Sequence, residues 1–197
     1  GVDGAEQIVE NYLKSIGHKM IDIKAVFLTH AHPDHIGGAW KMKEISGCKI
    51  YSGKGEQRWI EDINLQYKER QIPNFYSLVN KSVELDGVLS DKDTIELEDG
   101  ITIKVLSTQG HSCDELSYVL EENRVVFTGD TIPVKGDIPI WINEEELRKS
   151  LKKLQSLKDI DLFYPAWDKT YDKDTSKQKL KEAFDLIEQI RLNVNSC

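Results

Sequence analysis

The chain has 197 residues, of which 39% are hydrophobic and 30% are charged, a balance that excludes an intrinsically disordered chain. Its 34 acidic residues outnumber its 26 basic ones, and the net charge of −8 argues against binding to a nucleic-acid backbone. No apolar run approaches the roughly 18 residues of a membrane-spanning helix. We therefore expect one globular domain over residues 1–197, which acts on a small-molecule substrate and binds neither nucleic acid nor membrane.

The cysteines give a first indication of the compartment. Cys48, Cys113 and Cys197 are scattered, without the CxxC spacing of a thiolate metal site. Isolated cysteines of this kind fit a reducing environment, so a cytoplasmic location is expected. Because the sequence begins with Gly1 rather than Met, a removed leader remains an alternative.

Hydrophobic periodicity in the first half predicts helices and strands in turn. Apolar residues at helical spacing predict a helix from Ala5 to Ile16, with Asp3 as its N-cap. The apolar run at 25–29 predicts a buried strand, which is followed by a helix from about 35 to 45 and a short strand at 49–52.

The second half has the pattern of strands followed by helices. Alternation at period two on both sides of the turn Glu98-Asp99-Gly100 predicts a hairpin. Further elements are predicted in the order strand, strand, helix, strand and helix: 116–120, 124–128, the stretch around 147–154, 160–164 and the stretch around 180–190. This interleaving indicates an α/β fold.

The strongest functional signal is the sequence His30-Ala31-His32-Pro33-Asp34-His35, which follows the first predicted strand. Residues two apart in extended backbone project to the same side, so His30 and His32 can face one centre. Pro33 favours extended backbone at His32, and Asp34 and His35 then lie at a turn that can reach a neighbouring centre. Nitrogen and carboxylate ligands without thiolate suit Zn²⁺, with Fe and Mn as alternatives.

Three later strands also end in polar residues. One runs through Gly110 to His111, the next ends at Thr128 and is followed by Gly129-Asp130, and the last ends at Tyr164 ahead of 165–168. In α/β proteins such strand ends collect at one edge of a sheet, where ligands bind. His111 and Asp130 therefore become candidates for the same site, although either residue alone would be a weak signal.

Taken together, these motifs resemble those of the metallo-β-lactamase superfamily. His30, His32, Asp34 and His35 match its HxHxDH signature, and His111 and Asp130 stand in segments similar to its glycine-histidine and glycine-aspartate motifs. The resemblance extends over nearly the whole chain. It implies a four-layer αββα sandwich, a fold of the α/β class, with a one- or two-metal site at the strand ends.

The resemblance also implies a set of ligands. The implied ligands of the first metal are His30, His32 and His111, and those of the second are Asp34, His35 and a bridging Asp130. The implied cofactor is zinc, as one or two ions, and the implied nucleophile is a metal-bound hydroxide, with Asp34 as the catalytic residue that positions it or a proton.

Two features depart from the family pattern. Trp167 stands where the family has its last histidine ligand, so Asp168 is a candidate substitute, and Trp167 either lines the substrate pocket or packs in the core. Residues 1–4 resemble the position just after the N-terminal strands of the family. We therefore expect those strands to be lacking from this chain and to come from an unseen segment or another chain.

The leading interpretation is a metal-dependent hydrolase of a small ester, thioester or lactone. Four aromatic residues between the first two motifs form either an apolar lid over an acyl group or ordinary core: Trp59, Tyr67, Phe75 and Tyr76. The alternatives are a mononuclear iron dioxygenase of the same fold and a non-enzymatic metal-holding sensor or binding protein.

Overall fold

The protein consists of two units, Gly1–Leu89 and Ser90–Cys197, each with its own sheet and its own core. The structure is a computed structural model that describes residues 1–97, 100–136 and 138–195. Both units combine helices with a sheet, which confirms the predicted α/β class. Within the described residues, no helix combines the length and apolar character needed to cross a bilayer.

The first unit is built on a parallel sheet of three strands in the order β1-β2-β3. The strands are β1 (Ala25–Phe27), β2 (Lys49–Gly53) and β3 (Gly87–Leu89). The helices are α1 (Ala5–Ser15), α2 (Pro33–Ile36), α3 (Ala39–Ser46), α4 (Gln57–Glu61), α5 (Ile63–Glu69) and α6 (Phe75–Leu78). Leu28, Ile36, Ile50, Ile60 and Phe75 belong to its buried core.

The second unit is built on a six-stranded sheet in which strand order follows chain order. The strands are β4 (Thr94–Glu96), β5 (Thr102–Ser107), β6 (Leu116–Leu120), β7 (Val125–Gly129), β8 (Leu162–Pro165) and β9 (Tyr171–Asp172). Only the β7–β8 pair is parallel, and α7 (Glu144–Gln155) lies in the connection between these two strands. The apolar face of α7 (Leu147, Leu151) packs with residues of α8 (Lys173–Asn195) in the second core.

Three local predictions need comment. The N-cap prediction for Asp3 is wrong, because Gly4 caps α1 with φ 85° and Asp3 accepts a hydrogen bond from Asn80 Nδ2 at 2.7 Å. The single helix predicted over 35–45 is also wrong, since the chain forms α2 and α3 with Gly37 and Gly38 between them. The predicted hairpin is confirmed by the antiparallel β4–β5 pair, although Glu98 and Asp99 of its turn lie outside the described residues.

Gly110 fixes the loop after β5 against the start of α7. Its carbonyl accepts the N–H groups of Ile142 at 2.7 Å and Asn143 at 3.2 Å. Its φ is 129°, and a Cβ atom here would lie 2.4 Å from the backbone nitrogen of Leu147. Both the backbone conformation and the contact therefore require glycine.

We expect Gly110→Ala to lower the free energy of unfolding by about 2–5 kcal/mol, from about 1–2 for the positive φ and about 1–3 for the overlap with α7. Gly136→Ala is the matched control, since its φ is 99° but nothing lies within 4 Å of its added Cβ. The control should show only the first contribution in denaturant unfolding. Equal losses in the two variants would show that α7 yields to the added methyl group.

Candidate metal centre

The loop after β1 brings three imidazoles together. The ring centroid of His30 lies 4.4 Å from that of His32 and 4.1 Å from that of His35. His30 and His32 are buried, with exposures of 0% and 6%, and His35 is half-buried beside Asp34, whose Oδ2 lies 3.5 Å from His35 Nε2. The three imidazoles thus bring several nitrogen donors of the kind that metal ions prefer within a few ångströms of one another.

The local sequence explains how the loop reaches this geometry. Pro33 is the first residue of α2, and His32 before it has extended backbone, with φ −59° and ψ 141°, as the proline predicts. The Nδ1 atom of His30 lies 3.1 Å from the Thr29 hydroxyl. The histidines are thus held by the strand end on one side and by the helix start on the other.

The second unit pairs His111 with Asp130. His111 Nε2 lies 3.4 Å from Asp130 Oδ2, and the histidine is buried at 4% exposure. His111 Nδ1 lies 2.9 Å from the carbonyl oxygen of Ile140. A carbonyl can only accept, so Nδ1 carries a hydrogen, and in the neutral ring Nε2 has the lone pair. This arrangement, in which the second ring nitrogen donates to a backbone carbonyl, is typical of histidines that bind metal.

Trp167 touches the same carboxylate. Its indole Nε1–H donates to Asp130 Oδ2 at 3.1 Å, and the side chain is 62% exposed. The core-packing alternative for Trp167 is therefore wrong, because a residue this exposed is not buried under the sheet. The indole instead stands beside a candidate ligand.

Asp168 is engaged elsewhere in the second unit. Its Oδ2 accepts from the Tyr171 hydroxyl at 2.9 Å and lies 3.1 Å from Lys179 Nζ, and its Oδ1 accepts from the backbone of Lys169 at 2.7 Å. The bond from Lys169, and then those from Lys179 and Tyr171, hold the pKa of the Asp168 carboxyl below its usual range. Both oxygens thus have partners that a metal ion would have to replace.

The four aromatic residues of the first unit divide between core and surface. Phe75 is 2% exposed and lies in the core, so the lid interpretation is wrong for it. Trp59 and Tyr67 pack against this core, and the Trp59 indole donates to Glu69 at 2.8 Å. Tyr76 is 47% exposed, with its ring 5.0 Å from that of Tyr67. Core packing thus accounts for Phe75 and for the inner faces of Trp59 and Tyr67.

The sequence motifs did not indicate three buried polar residues that bind the backbone of the loop after β1 and of the loop after β7. Glu56 and Gln66 bind Ala31, and Glu115 binds the backbone N–H of Asp130. Glu115 could have been noticed only as a charged residue directly before the apolar strand β6. Hydrophobic periodicity does not single out Glu56 or Gln66.

Each of the two loops carries donor groups of the types that bind metal ions. Buried imidazoles, one with an assigned lone pair on Nε2, and half-buried carboxylates are the ligand types of zinc and non-haem iron. The sequence model of the metallo-β-lactamase superfamily matches residues 1–167, a span that includes both loops. The chain belongs to this superfamily.

Several known proteins resemble this superfamily member. A hydroxyacylglutathione hydrolase from Rhodopseudomonas palustris is 28% identical over 120 residues, which are 61% of this chain and 37% of that protein. An atrochrysone carboxyl ACP thioesterase from Aspergillus fumigatus is 30% identical over 135 residues, 68% of this chain and 35% of that protein. The chain therefore spans much less than two thirds of either relative.

A solved structure shows the same fold. The crystal structure of a metallo-β-lactamase family protein from Thermus thermophilus superposes with a TM-score of 0.76 at 22% identity, covering 98% of this chain and 70% of that one.

We expect Asp168→Asn to leave the metal content unchanged, because this carboxylate already binds Tyr171 and Lys179. The variant should be less stable than the wild type at neutral pH. The Asp168 carboxyl has a lowered pKa in the folded protein, so it stabilises the fold at pH values above its unfolded pKa of about 3.9. This stabilisation is lost as the pH falls through the folded pKa. The difference in unfolding free energy should therefore shrink below about pH 4. A variant that lost metal would identify Asp168 as a ligand.

Proposed function

We propose that the protein is a metal-dependent hydrolase of a small ester, thioester or lactone. The observation that carries the proposal is the convergence of His30, His32 and His35 in one loop of the first unit. Membership of the superfamily supports it, as do relatives named as a hydroxyacylglutathione hydrolase and an ACP thioesterase. Fold alone would not choose among the reactions of so broad a superfamily.

The proposed ligands come from both loops. His30, His32 and His111 would hold the first ion, Asp34 and His35 would hold the second, and Asp130 would contribute to both. The superfamily match supports this assignment because it includes all six residues in one span. The proposed ion is zinc, with iron or manganese as alternatives. The four-layer αββα sandwich likewise remains what the resemblance implies.

When bound, the metal would supply Lewis acidity, which polarises the substrate carbonyl and lowers the pKa of bound water to about 7. The protein supplies orientation. The carbonyl of Ile140 fixes the His111 ring, and the close packing of His30 against His32 limits rotation of both rings. Asp34 is 27% exposed, so its carboxyl group is accessible to water and to a substrate. We assign Asp34 the role of general acid–base catalyst.

The basic experiment compares the wild type with a His30→Ala/His32→Ala double variant. The wild type should bind zinc or iron and hydrolyse at least one member of a panel of thioesters, lactones and small esters, and the double variant should lose both properties. His18→Ala is the matched control, because His18 is an exposed histidine of the same unit that lies 3.5 Å from Asp22. Stoichiometric metal in the double variant would rule out the assigned site.

We expect Asp34→Asn to keep at least one metal ion but to lose about 10²–10⁴ in rate, the usual cost of removing a general acid–base group. Asparagine has nearly the same shape as aspartate but cannot hold or release the proton. Steady-state kinetics and elemental analysis on the same preparation separate the two effects, with Asp22→Asn as the control. An unimpaired Asp34→Asn enzyme would refute the role.

A specific observation favours a second candidate function. The Trp167 indole donates to Asp130 Oδ2 where the family has a histidine, and an indole N–H offers no lone pair to a metal. The second ion is then left with Asp34, His35 and Asp130 as ligands. If this second site is too weak to be filled, the protein holds one ion only, as a mononuclear iron dioxygenase does. Oxygen consumption by iron-loaded protein would identify that activity, whereas metal binding without any turnover would identify a sensor.

We expect calorimetric titration of the wild type with Zn²⁺ to show one tight site and one weak or absent site. Trp167→His should show two comparably tight sites, because it restores the missing imidazole. Trp167→Phe, which removes the indole donor without adding a ligand, should titrate like the wild type. Two equally tight sites in the wild type would show that another residue completes the second site.

A further inference from the structure

A fully buried glutamate holds the backbone of the ligand loop in each unit. Glu56 and Glu115 are 1% and 0% exposed. Glu56 Oε2 accepts the N–H of Ala31 at 3.1 Å, and Glu115 Oε1 accepts the N–H of Asp130 at 2.7 Å. We propose that Glu56 and Glu115 are positioning residues that preorganise the two loops for metal binding, an inference that rests on the proposed metal site.

In the first unit the held residue is the one between the two histidines. Ala31 is 0% exposed, its N–H is bound by Glu56, and its carbonyl accepts from the side chain of Gln66. Fixing both polar groups of one residue fixes the two peptide planes that flank it, and with them the Cα–Cβ directions of His30 and His32. Glu56 and Gln66 thus orient two imidazoles that they need not touch.

In the second unit Glu115 acts at two points. Its backbone carbonyl accepts the N–H of Thr108 at 2.8 Å, which closes the 108–115 loop that carries His111. Its carboxylate binds the backbone N–H of Asp130 at the end of β7. One residue therefore joins the loop of His111 to the loop of Asp130, the pair whose side chains approach to 3.4 Å.

Stability alone does not account for a buried carboxylate at both places. Burying an ionised group is costly, and a well-packed apolar residue is often as stabilising or more so. A backbone N–H that donates to a carboxylate does, however, make a bond about twice as strong as one between neutral groups. Such a bond is well suited to holding a loop in one conformation before the metal arrives.

The test measures Co²⁺ binding, because cobalt reports its coordination geometry by its visible absorption spectrum. Glu56→Ala and Glu115→Ala should bind Co²⁺ about 10–100-fold more weakly than the wild type in chelator competition, with an altered spectrum. Glu56→Gln and Glu115→Gln keep an oxygen that can accept the N–H, so they should recover most of the affinity and the wild-type spectrum.

Glu61→Ala is the matched control. Glu61 is a half-buried glutamate of α4 that accepts the backbone N–H of Leu85 at 3.1 Å, the same kind of bond away from the ligand loops. It should lose stability without losing Co²⁺ affinity. Should the alanine variants fail to fold, Glu56→Asp and Glu115→Asp decide the matter. They keep the carboxyl group but withdraw it from the N–H, so they too should bind at least about 10-fold more weakly.

The outcomes separate the two proposals. Folded alanine or aspartate variants that bind Co²⁺ like the wild type would overturn the positioning roles while leaving the metal site intact. An equal loss of affinity in Glu61→Ala would also overturn them, because the effect would then be one of general stability. A wild-type protein that binds no Co²⁺ would instead overturn the proposed function.

Discussion

A polar group that is removed from water must be bound by another polar group, and this constraint governs both ligand loops. His30, His32 and His111 are all nearly inaccessible, and their rings lie against other polar side chains rather than in an apolar core. Buried side chains in turn bind the peptide groups of Ala31 and Asp130. These bonds fix the backbone beside candidate ligands.

The same constraint explains why the helices and strands meet the loops where they do. Because Gly110 has no side chain, α7 lies close to the loop of His111. The backbone N–H groups of Ile142 and Asn143, just before α7, donate to the Gly110 carbonyl. Pro33 begins α2 immediately after His32 and keeps that histidine out of the helix. Neither feature adds a functional group, but each determines the direction in which a neighbouring imidazole points.

Trp167 is the feature that distinguishes this protein from the family pattern. The Trp167 indole N–H donates a hydrogen bond to the Asp130 carboxylate. A histidine at this position could instead use its lone pair to bind a metal ion together with Asp130. One carboxylate oxygen thus receives a hydrogen bond from Trp167 and lies within 3.4 Å of His111. If both proposed ions bind, the second therefore has one imidazole fewer than the family pattern supplies, which bears on the choice between hydrolysis and oxygen chemistry.

The sequence by itself determined the α/β class, most strands and the candidate ligands, because these depend on local periodicity and on short motifs. His30, His32 and Asp34 stand within five residues, so their proximity needs no tertiary information. Tertiary structure decided which of two roles a side chain takes. Phe75 belongs to the core, Trp167 stands exposed beside Asp130, and Glu56 reaches Ala31 across 25 residues of sequence. Burial and hydrogen-bond partners are set by residues distant in the chain, and no local pattern records them.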